Sequence, residues 1–210
     1  MISQLREIDL VRLRILQSLP GDLRFAGLIS VLQDVDQAQD FARLVDLLES
    51  EGCSRDQMQV AVKGIGSLNS LRGFARRWAQ KVRLPDHPVP PTSFYRPIVL
   101  AAELARVAIQ KRNCLRSYLP SALEGRTAFA LAAHKDHSAV VSLVRRAGNW
   151  CLDDVYGYRN SSADVELVRF VVEHLARHGV AARPRPSSVD GTWAPLSRLM
   201  DRGHGFFIEG

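Results

Sequence analysis

Apolar positions recur at helical spacing through the first third of the chain. Ile8, Val11, Ile15 and Leu19 step by three and four residues before Pro20-Gly21 interrupts the pattern, which predicts an amphipathic first helix. Asp22 is placed to cap a second helix carrying Phe25, Leu28, Ile29 and Leu32, and Phe41, Leu44, Val45 and Leu48 mark a third that ends at Gly52. Ser54 begins a short fourth helix that Gly64-Ile65-Gly66 breaks. From Ser67, a suitable N-cap, the residues Leu68, Leu71, Ala75, Trp78 and Val82 form one stripe of a fifth helix ending before Pro85. Residues 1–84 are therefore expected to form a small helical bundle.

The pattern changes at Pro85-Asp86-His87-Pro88-Val89-Pro90-Pro91, where closely spaced prolines disfavour helix and predict a stiff, extended connector over 85–91. Beyond it, residues 97–112 predict a helix, and Gly125 closes the segment from Cys114 to Leu123. Residues 126–133, 138–145 and 149–156 read as three strands, separated by His134-Lys135-Asp136-His137 and Arg146-Ala147-Gly148. Such short connections imply an antiparallel meander. Ser161-Ser162-Ala163-Asp164 predicts the start of a last helix through Val165, Val168, Val171, Val172 and Leu175, with Gly179 as its stop. The expected class is α+β: an N-terminal helical bundle (1–84), a connector (85–91), a domain with a small antiparallel β-meander packed by helices (92–182), and an extension (183–210). Within the extension, the stretch from Trp193 to Phe207 is a candidate docking element.

Composition narrows the class without naming a reaction. The 210 residues are 46% hydrophobic and 24% charged, ordinary for a globular protein, and no apolar run approaches the roughly 18 residues a membrane span requires. Met1-Ile2-Ser3-Gln4 leads straight into a pattern carrying Arg6, Glu7 and Asp9, unlike a secretory signal, so a cytoplasmic location is expected. Cys53, Cys114 and Cys151 are odd in number and far apart, which predicts reduced thiols rather than a disulfide framework or zinc ribbon. A formal charge of +6 favours a polyanionic partner. Apart from Lys63, Lys81, Lys111 and Lys135 every such cation is Arg, whose planar fork suits phosphate, although a GC-rich genome produces the same bias.

The basic residues cluster on the fifth helix. No Asp or Glu occurs between Asp56 and Asp86, whereas Lys63, Arg72, Arg76, Arg77, Lys81 and Arg83 all do. On a continuous helix Arg72, Arg76 and Arg83 lie near one edge and Arg77 and Lys81 near another, with the Trp78 stripe between them facing the bundle. Such a face can track a phosphate backbone, DNA or RNA alike. It can equally be a solvated face, or a docking surface for an acidic protein.

Residues 111–118 read Lys-Arg-Asn-Cys-Leu-Arg-Ser-Tyr, and later come Gly148-Asn149-Trp150 and Gly157-Tyr158-Arg159-Asn160. Taken with the Pro88-to-Pro91 segment and the Pro97-Ile98 lead into a helix, this order of features resembles the PcfJ-like family over residues 88–178, proteins linked to conjugative plasmids and other mobile elements. The resemblance makes Asn113, Cys114, Tyr118, Trp150, Gly157, Arg159 and Asn160 the family-motif positions. Family members frequently carry a His just before this Cys; here Arg112 and Asn113 stand there, so no adjacent His or metal pair is carried over.

Cys114, beside Lys111, Arg112 and Arg116, is a candidate nucleophile whose thiolate positive charge would favour, or else a small apolar side chain packing a helix on the sheet. Four residues on, Tyr118 would share its helix face. Arg159 and Asn160 stand before a helix N-terminus, where free amides can hold a phosphate; alternatively Asn160 caps the turn and Arg159 pairs with Asp153 or Asp154. His174 and His178 share a helix face without a third ligand and are expected to complement its C-terminus, and His134 and His137 flank a turn facing solvent, so no metal is assigned. The chain carries no phosphate-binding P-loop, nucleophile elbow, dinucleotide fingerprint or paired-carboxylate motif, and no cofactor is expected. The leading expectation is a non-enzymatic accessory protein of a mobile-element or defence nucleoprotein system. It would bind nucleic acid or a nucleoprotein effector complex through Arg72, Arg76, Arg77, Lys81, Arg83, Lys111, Arg112, Arg116 and Arg159. The alternatives are a protein-interaction subunit docking on an effector protein, and a cysteine-dependent enzyme using Cys114 with His134 or His137 as base.

Overall fold

In the computed structural model, which describes residues 9–182, the chain divides between Val82 and Arg83. Ile8 and the whole 183–210 extension, with its stretch from Trp193 to Phe207, lie outside the described residues.

Residues 9–82 contain α1 (Leu10–Ser18), α2 (Ala26–Val31), α3 (Val35–Ser50), α4 (Arg55–Lys63) and α5 (Leu68–Ala79). Short polar side chains set their starts. Asp9, Asp34, Ser54 and Ser67 each accept a backbone N–H from the first turn that follows, and Ser67 and Ser70 satisfy one another's amides reciprocally. Asp22 does not cap α2 as its position suggests. Gly21–Leu23 forms a 3-10 turn, Phe25 holds the N-cap position, and the Asp22 carboxylate accepts instead from Arg55 Nε at 2.6 Å. The open carbonyls at the other end of α2 are met by Arg12, whose Nη1 donates to Ile29 O at 2.7 Å and also to Leu32 O. Ile15, Leu28, Phe41, Leu44, Leu48, Met58, Phe74 and Trp78 fill the interior, with Phe74 between Phe41 at 5.4 Å and Trp78 at 6.0 Å. Val11 is exposed rather than buried, so α1 contributes a narrower stripe than its spacing implies.

Residues 83–182 hold an antiparallel sheet of β1 (Tyr95–Pro97), β2 (Thr127–His134), β3 (His137–Arg146) and β4 (Asn149–Tyr156), in that order. The three expected strands are present as a meander, and β1 adds a fourth through Tyr95 opposite Ala132 and Pro97 opposite Ala130. Pro97 sits where proline belongs in a sheet, on an edge strand. Residues 85–91 are part of this unit: Val89 is fully buried and packs in the same core as Tyr95, and its N–H donates to His87 Nδ1 at 3.1 Å. The prolines therefore lead the chain into the sheet, and the break between units falls before them.

Alternation along the strands gives each face its own core. Ala130, Ala132, Val141, Leu143, Leu152 and Val155 meet Leu167, Val171 and Leu175 of α8 (Val165–Arg177). Phe129, pointing the other way from β2, carries the Tyr118 ring at 5.8 Å, next to α7 (Leu119–Leu123); α7 in turn packs on α6 (Ala101–Lys111). The architecture is α+β, helices followed by a helix-packed antiparallel sheet.

Candidate functional site

Two chain turns bring most of the motif positions together. α6 ends where Arg112 takes a left-handed backbone, φ 49°, and the N–H of Asn113 reaches back to Ala108 O at 3.1 Å. Arg112 thus ends the helix at its expected boundary, although the helix begins at Ala101, four residues later than expected. Cys114 and Tyr118 accordingly do not share an α-helical face: a 3-10 turn, Leu115–Tyr118, follows Cys114, held by Ser117 N and Oγ on Cys114 O. Asn113 Oδ1 accepts from Leu115 N at 3.3 Å, while its Nδ2 is buried without a partner.

The second turn follows β4. The N–H of Gly157 donates to Ser161 O at 2.8 Å, and a Cβ at Gly157 would stand 2.9 Å from Ser161 Oγ, which is why the smallest residue suits that place. Arg159 and Asn160 are both left-handed, φ 55° and 58°, inside the 3-10 turn Tyr158–Asn160. That geometry carries Asn160 Nδ2 to 3.9 Å from Cys114 Sγ, joining motif halves 46 residues apart. Trp150 is not part of this group; it is half-buried against the α8-side core.

Three further residues complete the locus. Tyr156 is buried, and its hydroxyl is held well above the usual phenol range first by burial, then by electrostatic interaction with the neighbouring Cys114 and Tyr118 and with the β4 aspartates. Tyr118 is raised too, again by burial first and then by Cys114, Asp153 and Asp154. Both phenols therefore stay protonated donors at neutral pH. The two aspartates are consecutive and exposed because β4 bulges there: Ser142 faces Asp154 and Leu143 faces Leu152, leaving Asp153 as the extra residue. Ser142 Oγ donates to Asp153 Oδ2 at 3.4 Å, and Val155 N donates to Asp154 Oδ1 at 2.8 Å.

Neither aspartate forms an ion pair with Arg159 among the described residues. The Arg159 guanidinium instead stands 5.5 Å from the centre of the Tyr158 ring, and that of Arg112 stands 5.9 Å from it. Sequence reading missed Tyr158 as a functional residue, because Arg112, one of the two arginines beside its ring, is 46 residues away in the chain. Arg116 is exposed. Lys111 is engaged in the fold, its Nζ donating to Ser138 Oγ at 2.6 Å.

On α5 the buried stripe is Leu71, Phe74, Ala75, Trp78 and Ala79, which turns Arg76 and Arg77 outward. The helix ends at Ala79, earlier than expected; Lys81 follows in a turn and folds its ammonium over the Trp78 ring at 3.5 Å. Arg72 is half-buried, and Arg83 opens the second unit, bridged to Leu100. Arg76, Arg77 and Lys81 have no carboxylate partner among the described residues.

The histidines are structural in their contacts. His134 is half-buried against Phe170 at 4.4 Å rather than facing solvent, with Nε2 4.0 Å from Glu166, and His137 Nε2 lies 3.9 Å from Asp164. These are the carboxylates at the start of α8, so the structure places both rings there and not with Cys114. His174 is buried between Phe94, Tyr95 and His178; burial, and then the charge of His178, push its pKa down, so it does not serve as a cation at the end of α8. No group of three or more His, Cys, Asp or Glu suited to a metal occurs among the described residues. No described helix is long and apolar enough to cross a membrane. No family model, curated protein or solved structure matches the chain.

Proposed function

We propose that the protein is a non-enzymatic accessory factor that binds nucleic acid, alone or within a nucleoprotein complex, in the mobile-element or defence setting that its likeness to the PcfJ-like proteins implies. The observation that carries this reading is the exposed, carboxylate-free face of α5 and the turn after it, where Arg76 and Arg77 point away from the apolar inner stripe and the exposed Lys81 lays its ammonium over the Trp78 ring. Their side chains reach solvent without an internal acid to neutralise them, which is the condition for exchanging condensed counterions of a polyphosphate for protein charge. Two of them also occupy the last turn of α5 and complement its carbonyls, so their positions suit the helix as well as the ligand.

The test is a salt titration of binding to labelled single- and double-stranded DNA and RNA, comparing the nuclease-treated protein with Arg76→Ala/Arg77→Ala/Lys81→Ala. Arg72 is left intact because it is half-buried. Each lost phosphate contact lowers the slope of log affinity against log salt by about 0.9 on duplex and about 0.7 on single strands, so the triple variant is expected to lose about 2 to 3 in slope. A folded protein that binds none of these substrates at low salt, or a variant with unchanged slope, refutes the assignment.

A further inference from the structure

We propose that Tyr158, set between Arg112 and Arg159, is a stacking platform for one base of a single-stranded nucleic acid, with the two guanidinium groups holding the adjoining phosphates. The inference rests on the nucleic-acid reading above, and adds the strand form and the place of contact on the second unit.

Tyr158 leaves 46% of its surface exposed, although tyrosine rings are usually covered at least on one face by their own fold. Arg112 and Arg159 stand 5.9 and 5.5 Å from its centre. These distances lie inside cation–π reach but beyond the roughly 3.5–4 Å of a packed contact, so neither arginine fills the position a base would take. Both side chains start from left-handed backbone, at φ 49° and 55°, and Asn160 beside them stands at 58°. Glycine is the usual occupant of such places, and bulky residues held there mark a site over-determined by its surroundings. Asn160, on Cys114 Sγ, is one such constraint, and the N–H of Gly157 on Ser161 O is another. The result is three neighbouring groups, a flat ring and two planar cations without carboxylate partners among the described residues, at the junction of α6 and the β4 turn.

Ring and cation together select the ligand. A base face is open to a protein ring only when the base is not inside a duplex stack, and sequence-tolerant binding of single strands combines aromatic stacking with positive charge along the backbone. A bare anion site would use the arginines but give the exposed ring no work, and a duplex would meet the charge without offering a face.

The experiment measures affinity of the full chain, by fluorescence anisotropy at fixed salt, for a short oligothymidylate, an abasic oligomer of the same length and charge, and a duplex. The wild-type chain is expected to bind thymidylate more tightly than the abasic strand. Tyr158→Leu is expected to weaken thymidylate binding about 5- to 100-fold while leaving the abasic strand and duplex unchanged, and Tyr158→Trp to retain it. Arg112→Gln/Arg159→Gln is expected to weaken both single strands. Equal affinity of the wild type for thymidylate and abasic strands makes the locus a phosphate site and overturns the stacking proposal. If Tyr158→Leu matches wild type on thymidylate while the α5 triple variant still loses duplex binding, the platform falls and the nucleic-acid reading stands. Absence of salt-sensitive binding to all three substrates removes both.

Discussion

Arg55 joins three carboxylates. Its Nε donates to Asp22 at 2.6 Å and its Nη1 to Asp46 at 2.9 Å and Glu49 at 2.8 Å, tying the start of α4 to the end of α3 and to the turn before α2. A lone cation at the first position of a helix opposes the helix dipole, so Arg55 is in a poor place but for these acids. The Asp22 pair, with side chains 25% and 29% exposed, contributes about 1 kcal/mol; the Asp46 and Glu49 pairs, 60% and 47% exposed on the acid side, contribute about 0.3–0.5 each. Allowing about 0.3 kcal/mol for relief of the dipole repulsion, Arg55→Met is expected to destabilise by about 1.5 kcal/mol at neutral pH. Urea unfolding of wild type, Arg55→Met, Asp22→Asn and the double variant isolates the main pair as a coupling of about 1 kcal/mol. Arg55 holds the Asp22 carboxyl below its ordinary range, so the folded state binds that proton less readily than the unfolded chain. The contribution is therefore present above the unfolded carboxylate value near 3.9 and is lost as pH falls through the lower folded value. A coupling near zero at pH 7, or one that persists unchanged in acid, shows that the Arg55 stem packs and its charge does nothing.

Gly27 approaches the chain after α4 so closely that a Cβ would collide with the Ile65 carbonyl oxygen; Gly27→Ala is expected to cost about 1–3 kcal/mol in urea unfolding, despite alanine's better helix propensity, and a stabilised variant would refute the close approach. Of the three free cysteines only Cys114 is exposed, so Ellman's reagent should titrate one thiol in the native protein and three in urea, with Cys114→Ser abolishing the native signal. Burial lowers the pKa of His174 and of His87, so both resist a proton that the unfolded chain accepts below about pH 6.5; stability should fall as pH drops through that value, by up to about 1.4 kcal/mol per pH unit for each ring. His174→Phe, which keeps the ring packing on Phe94 and Tyr95, should flatten the acid slope by one proton's worth, and an unchanged slope would assign the effect elsewhere.

The parts of the fold legible in the sequence are those whose causes lie within a few residues. Ser54, Ser67 and Asp164 cap helices because a short polar oxygen and the amide it accepts are three positions apart, and the strands of the meander announce themselves by turns and apolar runs. What was not legible depends on partners far along the chain. Asp22 has the chemistry of a cap and the position of one, yet Arg55, 33 residues away, binds it more strongly than a neighbouring amide would. β1 is three residues ending in a proline, invisible as a strand until β2 supplies its partner. Proline spacing at 85–91 correctly forbids helix, but the burial of Val89 is decided by Tyr95 and the sheet core, which no local pattern contains.

The site divides along the same line, and the division explains its form. Cys114, Tyr118, Gly157, Arg159 and Asn160 could be named from their order, but the order placed Cys114 and Tyr118 on one helix face because side-chain spacing carries no sign of a backbone angle. A left-handed residue, Arg112, stops α6 at its expected end, and the 3-10 turn Leu115–Tyr118, rather than an α-helix, follows Cys114. The same conformation at Arg159 and Asn160 turns the chain after β4 back toward Cys114. Left-handed arginine is disfavoured locally; the bonds from Asn113 N to Ala108 O and from Gly157 N to Ser161 O brace the two turns, and the Asn160 contact with Cys114 Sγ joins them across 46 residues. A candidate site assembled in this way exists only in the folded protein, and one of its exposed members, Tyr158, is defined by residues on both sides of the junction rather than by its own surroundings in the sequence.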